Sequence, residues 1–137
     1  MGLADVSAAV VDTSAWISIA FEETDASVFS QAIANLDSVL VSSVTRVELG
    51  IVGLSRGPMM AEKINQLLAV FAAQLVPLDE SMALRAVDAA AKYGKGRHKA
   101  ALNFGDCCAY ALAKSMRLPL LYKGEDFLHT DIRSALA

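Results

Sequence analysis

Four short apolar runs, AAVV at 8–11, SVLV at 38–41, QLVPL at 74–78 and LPLLY at 118–122, are separated by stretches long enough for helices. Runs of this length between turn signals read as buried strands. Strands alternating with helices of ten or more residues imply crossover connections and a mainly parallel sheet with helices on both faces. The intervening segments carry the helical period, among them Val28, Phe29, Ala32 and Ile33; Val44, Val47, Ile51 and Val52; and Ala109, Tyr110, Ala113 and Met116. The expected fold is therefore an α/β three-layer sandwich with about five strands. The fifth is a shorter one near Thr130 to Arg133.

At 137 residues the chain is expected to form a single domain, 1–137, around one core. Its hydrophobic share of 55% and charged share of 20% suit a sheet covered on both faces. Asp12, Glu22, Asp37, Arg46 and Gln74 interrupt every candidate membrane span. The N-terminus has no basic leader, so the expected location is cytoplasmic. Cys107 and Cys108 are neighbours on a helix, where successive side chains diverge, so they read as buried reduced thiols and not as a bridge or metal pair. A net charge of −3 attracts no nucleic acid globally, and such a partner would need a local patch.

Four acids stand out. Asp12 directly follows the first strand, which in a parallel sheet puts it at the carboxyl edge, where ligands bind in open α/β sheets. It also suits an N-cap, as do Thr13 and Ser14. Glu48 falls among the apolar positions of the third helix, where a carboxylate needs a cation, a metal or a proton. Arg46 does not face it, being two residues away. Asp106 opens the helix before the last strand, with Asn103 placed as its capping partner, and Asp126 lies just beyond that strand. Acids gathered on one edge repel one another. A hard divalent cation with oxygen ligands supplies the counter-charge, and the matching chemistry is metal-assisted phosphodiester hydrolysis.

The segment KYGKGRHKAALNFG precedes Asp106 and brings Lys92, Lys95, Arg97 and Lys99 with no acid among them. A basic run in isolation is usually a solvated loop, but its position favours phosphate contacts. His98 and His129 stand in no nucleophile setting, and no glycine-rich nucleotide signature is present.

VVDTSAW with Asp12, TRVELG with Glu48, and NFGDCCAYALAKSMRLPLLYKGEDF with Asp106 and Asp126, in this order and spacing, resemble PIN-domain ribonucleases and, more narrowly, the VapC toxins of type II toxin–antitoxin pairs. The resemblance implies an acidic pocket holding Mg²⁺, or Mn²⁺ in its place, that cleaves structured RNA. Asp12 and Asp106 would be the most direct metal ligands and Glu48 and Asp126 would complete the catalytic set. Thr13, Ser14 and Asn103 would line the pocket, and Lys95, Arg97 and Lys99 would meet substrate. It also implies a homodimer neutralised by a small VapB-type antitoxin. Relatives often carry an acid where this chain has Gly124, so the fourth carboxylate is Asp126 or, as the alternative, Glu125, with Asp131 further out. Two other readings compete: a phosphoacceptor signalling domain using Asp12, Asp79 and Lys123, and a PIN-like binding subunit without catalysis.

Overall fold

The computed structural model describes residues 7–136. In chain order it runs β1 (Ala8–Val11), α1 (Thr13–Ala20), α2 (Ala26–Ala34), β2 (Ser38–Ser42), α3 (Ser43–Arg56), α4 (Pro58–Val70), β3 (Gln74–Val76), α5 (Glu80–Tyr93), α6 (Phe104–Met116), β4 (Leu120–Leu121) and a 3₁₀ turn, Asp126–His129. Among the described residues no helix is long and apolar enough to cross a membrane.

The strands form one parallel sheet in the order β3-β2-β1-β4. Alternate strand residues face opposite layers, as the two-residue period requires. Val10, Leu40 and Leu120 join a core with α5 and α6, while Val11, Val39, Val41 and Leu121 join one with Trp16, Phe29, Leu49 and Ile64 from the other helices. Each such side chain contributes about 1.5–3 kcal/mol on burial, which is why strands of only two to five residues suffice.

The chain first builds outward from β1 to β2 to β3, then crosses back to place β4 on the other side of β1. The strand order therefore reverses between β1 and β4, and a crevice opens outside the carboxyl ends of strands at such a point. Asp12 follows β1 and the 3₁₀ turn with Asp126 follows β4.

The sheet has four strands and not the five expected. Beyond β4 a single parallel bridge joins Leu120 and Ser134, with Leu120 N donating to Arg133 O at 2.9 Å and Ala135 N donating to Leu120 O at 3.0 Å. The residues before it are committed to a turn, because Thr130 Oγ1 donates to Phe127 O at 2.7 Å and accepts from Ile132 N at 3.2 Å. β3 also stops before Leu78, whose N–H donates to Ser43 Oγ instead of to the ladder.

α3 presents a different face from the one its apolar residues suggest. Val47 and Ile51 are each 60% exposed, and the buried line is Thr45, Leu49 and Gly53. The reason is the contact with α4: a Cβ on Gly53 would lie 3.0 Å from Ala61 Cα and 3.1 Å from Ala61 Cβ. Small residues at 53 and 61 let the two helices close up. Gly53→Val should therefore wedge α3 from α4 and cost about 1–3 kcal/mol, as overpacking does. Chemical denaturation would show it as a lower midpoint with an unchanged slope.

Candidate functional site

The crevice is built by helix caps. Asp12 is the N-cap of α1, and its Oδ2 accepts from Ser14 N at 3.0 Å and from Ser14 Oγ at 2.6 Å. Ser14 Oγ in turn accepts from Lys123 N at 3.0 Å, so the end of β4 is tied to the end of β1 through one hydroxyl. Asn103 and Asp106 form the capping box of α6: Asp106 N donates to Asn103 Oδ1 at 2.8 Å and Asn103 N donates to Asp106 Oδ2 at 3.1 Å. The capping and ligand roles weighed for both aspartates are compatible, because a cap occupies one carboxylate oxygen.

Glu48 enters from α3. Its Oε1 accepts from Thr13 Oγ1 at 2.6 Å, and Thr13 Oγ1 lies 3.1 Å from Thr45 Oγ1. The other carboxylate oxygen packs on Gly105, where a Cβ would overlap it. Arg46 does not pair with Glu48; it donates to Asn65 Oδ1 at 2.7 Å on α4. Among the described residues Glu48 thus meets a hydroxyl and a bare glycine but no cation.

Asp126 follows β4 on the exposed side. Burial raises the Asp106 carboxyl to about 7, opposed by the bond from Asn103, and Asp12, Asp126 and Glu48 each push it higher by repulsion. Burial likewise raises Asp12, which is 4% exposed, with Ser14 opposing and Glu48 adding to the rise. Asp106 thus feels the charges of Asp12, Glu48 and Asp126, and Asp12 feels that of Glu48. Glu125 has no such effect on Asp106.

Not every expected residue joins them. Asp131 accepts from the Tyr110 hydroxyl and from Lys114 Nζ, and so fastens the C-terminal segment to α6 away from the acids. Lys95, Arg97 and Lys99 are exposed and, among the described residues, take part in no salt bridge. The phosphoacceptor arrangement does not assemble. Asp79 caps α5 beyond the edge strand β3, with β2 between it and β1, and the Lys123 ammonium pairs with Glu23 at 2.7 Å and Asp25 at 3.2 Å.

Thr45 and Gly105 were not anticipated. Thr45 gave no signal beyond standing three residues before Glu48. Gly105 gave one: glycine inside a helix costs about 1 kcal/mol relative to alanine, so its place beside Asp106 implied a close neighbour.

The donor set is chemically coherent for a hard cation. All four groups are carboxylates, the Asp106 capping bond uses only Oδ2, both Ser14 bonds to Asp12 use only Oδ2, and Glu48 Oε2 accepts from no described group. Among the described residues no cluster of three or more acidic, histidine or cysteine side chains is drawn together tightly enough to hold a metal ion by itself. Mg²⁺ is commonly held by only one or two carboxylates, with water and phosphate oxygens in the other positions.

A parallel α/β sheet with acids at its switch point defines a fold class that binds ligands at that edge, and the relatives narrow it. A PIN-domain family profile matches residues 9–133. The chain is 42% identical over 129 residues to Ribonuclease VapC28 of Mycobacterium tuberculosis, an alignment covering 93% of this chain and 97% of that protein. It is 41% identical over 124 residues to Ribonuclease VapC of Mycolicibacterium smegmatis, covering 90% and 96%. A toxin–antitoxin complex from Klebsiella pneumoniae contains a chain of the same fold, with a TM-score of 0.69 at 19% identity over 90% of this chain and 92% of that one. The chain belongs to the PIN-domain family, among the VapC ribonucleases.

The raised Asp106 carboxyl gives a signed prediction. Its folded-state value of about 7 exceeds the ordinary 3.8, so the folded state holds that proton more tightly than the unfolded chain. The resulting stabilisation is complete below about pH 4 and lost as pH rises towards 7. In chelator, Asp106→Asn should remove this loss and leave the variant about 1–3 kcal/mol more stable than the parent near neutral pH, discounted for the solvent on its open side. Denaturation midpoints between pH 5 and 8 would check it.

Proposed function

We propose that the protein is a metal-dependent endoribonuclease, the toxin of a type II toxin–antitoxin module, hydrolysing RNA phosphodiester bonds at the acidic crevice. The observation that carries this reading is the convergence of Asp12, Glu48, Asp106 and Asp126 with no cation paired to any of them among the described residues. A crevice that repels itself in this way favours a bound divalent cation.

Asp12 and Asp106 would hold Mg²⁺ or Mn²⁺ through the oxygens their caps leave free, with Glu48 and Asp126 flanking. Bound there, such an ion would supply charge stabilisation at the scissile phosphate and would lower the pKa of a water it holds towards neutrality. Each residue has a distinct task. Ser14 fixes the Asp12 carboxylate by two bonds to one oxygen. Thr13 holds Glu48 so that its second oxygen faces Gly105 and the crevice. In this reading Glu48 and Asp126 orient water and accept its proton, a role that demands hydrogen-bond reach before any matching of acidity. Lys95, Arg97 and Lys99 offer phosphate contacts beside the acids.

RNA is the substrate in this reading. A VapB-type antitoxin that covers the crevice is the protein partner, and the active form is a homodimer.

Partner-free protein should cleave RNA with Mg²⁺ or Mn²⁺ and stop on chelation. Asp12→Asn and Asp106→Asn should each lose about a hundredfold or more in kcat, the scale on which a preorganised charged group is missed. Gly105→Ala should fold normally yet lose about tenfold or more, because the new methyl displaces Glu48 and a small misplacement at a reacting centre is costly. Metal-independent cleavage, or cleavage that survives Asp12→Asn, would contradict the reading.

A further inference from the structure

Against the other flank of the first turn of α6 lies a cleft of about 590 Å³. Ala86, Val87 and Ala90 of α5 form one wall and Phe104 and Cys108 of α6 the other, with Lys95 and Arg97 at its rim and no carboxylate in its lining. Its size and apolar walls are those of a small-ligand site.

Phe104 is 71% exposed, although it opens a helix whose later residues are almost entirely buried. It stands two residues before Asp106, a rotation of about 200° around the helix, so the ring and the carboxylate flank the same turn. Cys107 and Cys108, which follow Asp106 directly, line the cleft.

The cationic rim is a built loop. Lys95 N donates to Leu102 O at 3.1 Å, Leu102 N donates to Tyr93 O at 3.0 Å, and His98 Nδ1 accepts from Ala100 N at 3.0 Å. A Cβ at Gly94 would overlap the Ala90 carbonyl, so the loop can leave α5 this tightly only through glycine. His98 is thereby a loop-forming residue, packed edge-on against Tyr93.

A polyanion approaching an acidic crevice needs positive charge alongside, because its phosphates are otherwise repelled. Lys95 and Arg97 supply it at the mouth of an apolar slot with an exposed aromatic ring. Unpaired bases are read in this way, by stacking on aromatic side chains with the backbone held by cations. We propose that this cleft is a nucleoside subsite that takes one unpaired base of the RNA, stacked on Phe104, with neighbouring phosphates on Lys95 and Arg97, while the scissile phosphate enters the acidic crevice across the turn. The subsite rests on the ribonuclease reading and makes the preferred substrate a single-stranded or loop RNA.

The test uses a ribose-methylated, cleavage-resistant trinucleotide carrying a central fluorescent adenine analogue, titrated into the whole protein in chelator. Saturable quenching is expected with the parent. Phe104→Ala should weaken binding about tenfold, the scale of one lost base–aromatic stack, and Val87→Trp should block it by filling the slot. Phe104→Tyr should retain it. Lys95→Ala and Arg97→Ala should flatten the salt dependence while leaving the quenching of bound probe intact. Binding that is unchanged in Phe104→Ala, or binding without quenching, would overturn the subsite. So would a Phe104→Ala protein that keeps the trinucleotide but loses self-association, since the cleft would then belong to a second copy. Cleavage of total RNA by the parent with Mn²⁺ is measured in parallel. Cleavage without quenching overturns the subsite alone, and quenching without cleavage overturns the ribonuclease reading alone.

Discussion

Repulsion among carboxylates at the carboxyl edge of the sheet organises this protein. Asp12, Glu48, Asp106 and Asp126 come from four separate elements, and the fold spends its most local interactions on holding them there. Two are fixed by the caps of α1 and α6, one by Thr13, and the fourth follows the strand that Ser14 ties to β1. Each helix N-terminus also presents unpaired N–H groups that favour a nearby negative charge, which offsets part of the cost of gathering acids. What remains is visible in Asp12 and Asp106, both of which hold a proton more firmly than free aspartate does.

The caps give the site economy. One oxygen of each aspartate, Oδ2, serves a helix start and fixes the side chain. Stability and chemistry therefore use the same residues without competing for the same lone pairs. Cations that could have neutralised the cluster are turned elsewhere: Arg46 reaches Asn65, and Lys123 reaches Glu23 and Asp25. Lys95 and Arg97, which take part in no salt bridge among the described residues, stand across the first turn of α6 from the acids.

Much of this was legible in the sequence, for reasons specific to particular residues. Ala8–Val11 was readable because four apolar residues ending at Asp12 leave no room for a helix, and α6 because Asn103 and Asp106 carry the spacing of a capping box. The buried face of α3 was not, because its apolar residues surround the helix and hydrophobicity alone cannot choose among them. The choice falls to Gly53 against Ala61, a contact between residues that carry no hydrophobic signal. Glu48 reaches the crevice even so, since it lies beside Leu49 on the true inner line. The missing fifth strand reflects turn chemistry at Thr130, and the Tyr110 partner of Asp131 was not legible because nothing in the neighbours of Asp131 announces it. The cleft beside Phe104 could not be read at all, being assembled from α5, α6 and a loop only once they fold together.

The central claim is that the crevice is a cation site made from these acids. Calorimetric titration of partner-free protein with Mn²⁺, near neutral pH and with Mg²⁺ as competitor, measures it directly. The account predicts saturable binding that Mg²⁺ displaces, that Asp12→Asn abolishes, and that weakens as pH falls and protons compete for the same oxygens. Equal Mn²⁺ binding by the parent and Asp12→Asn, with no dependence on pH, would contradict it.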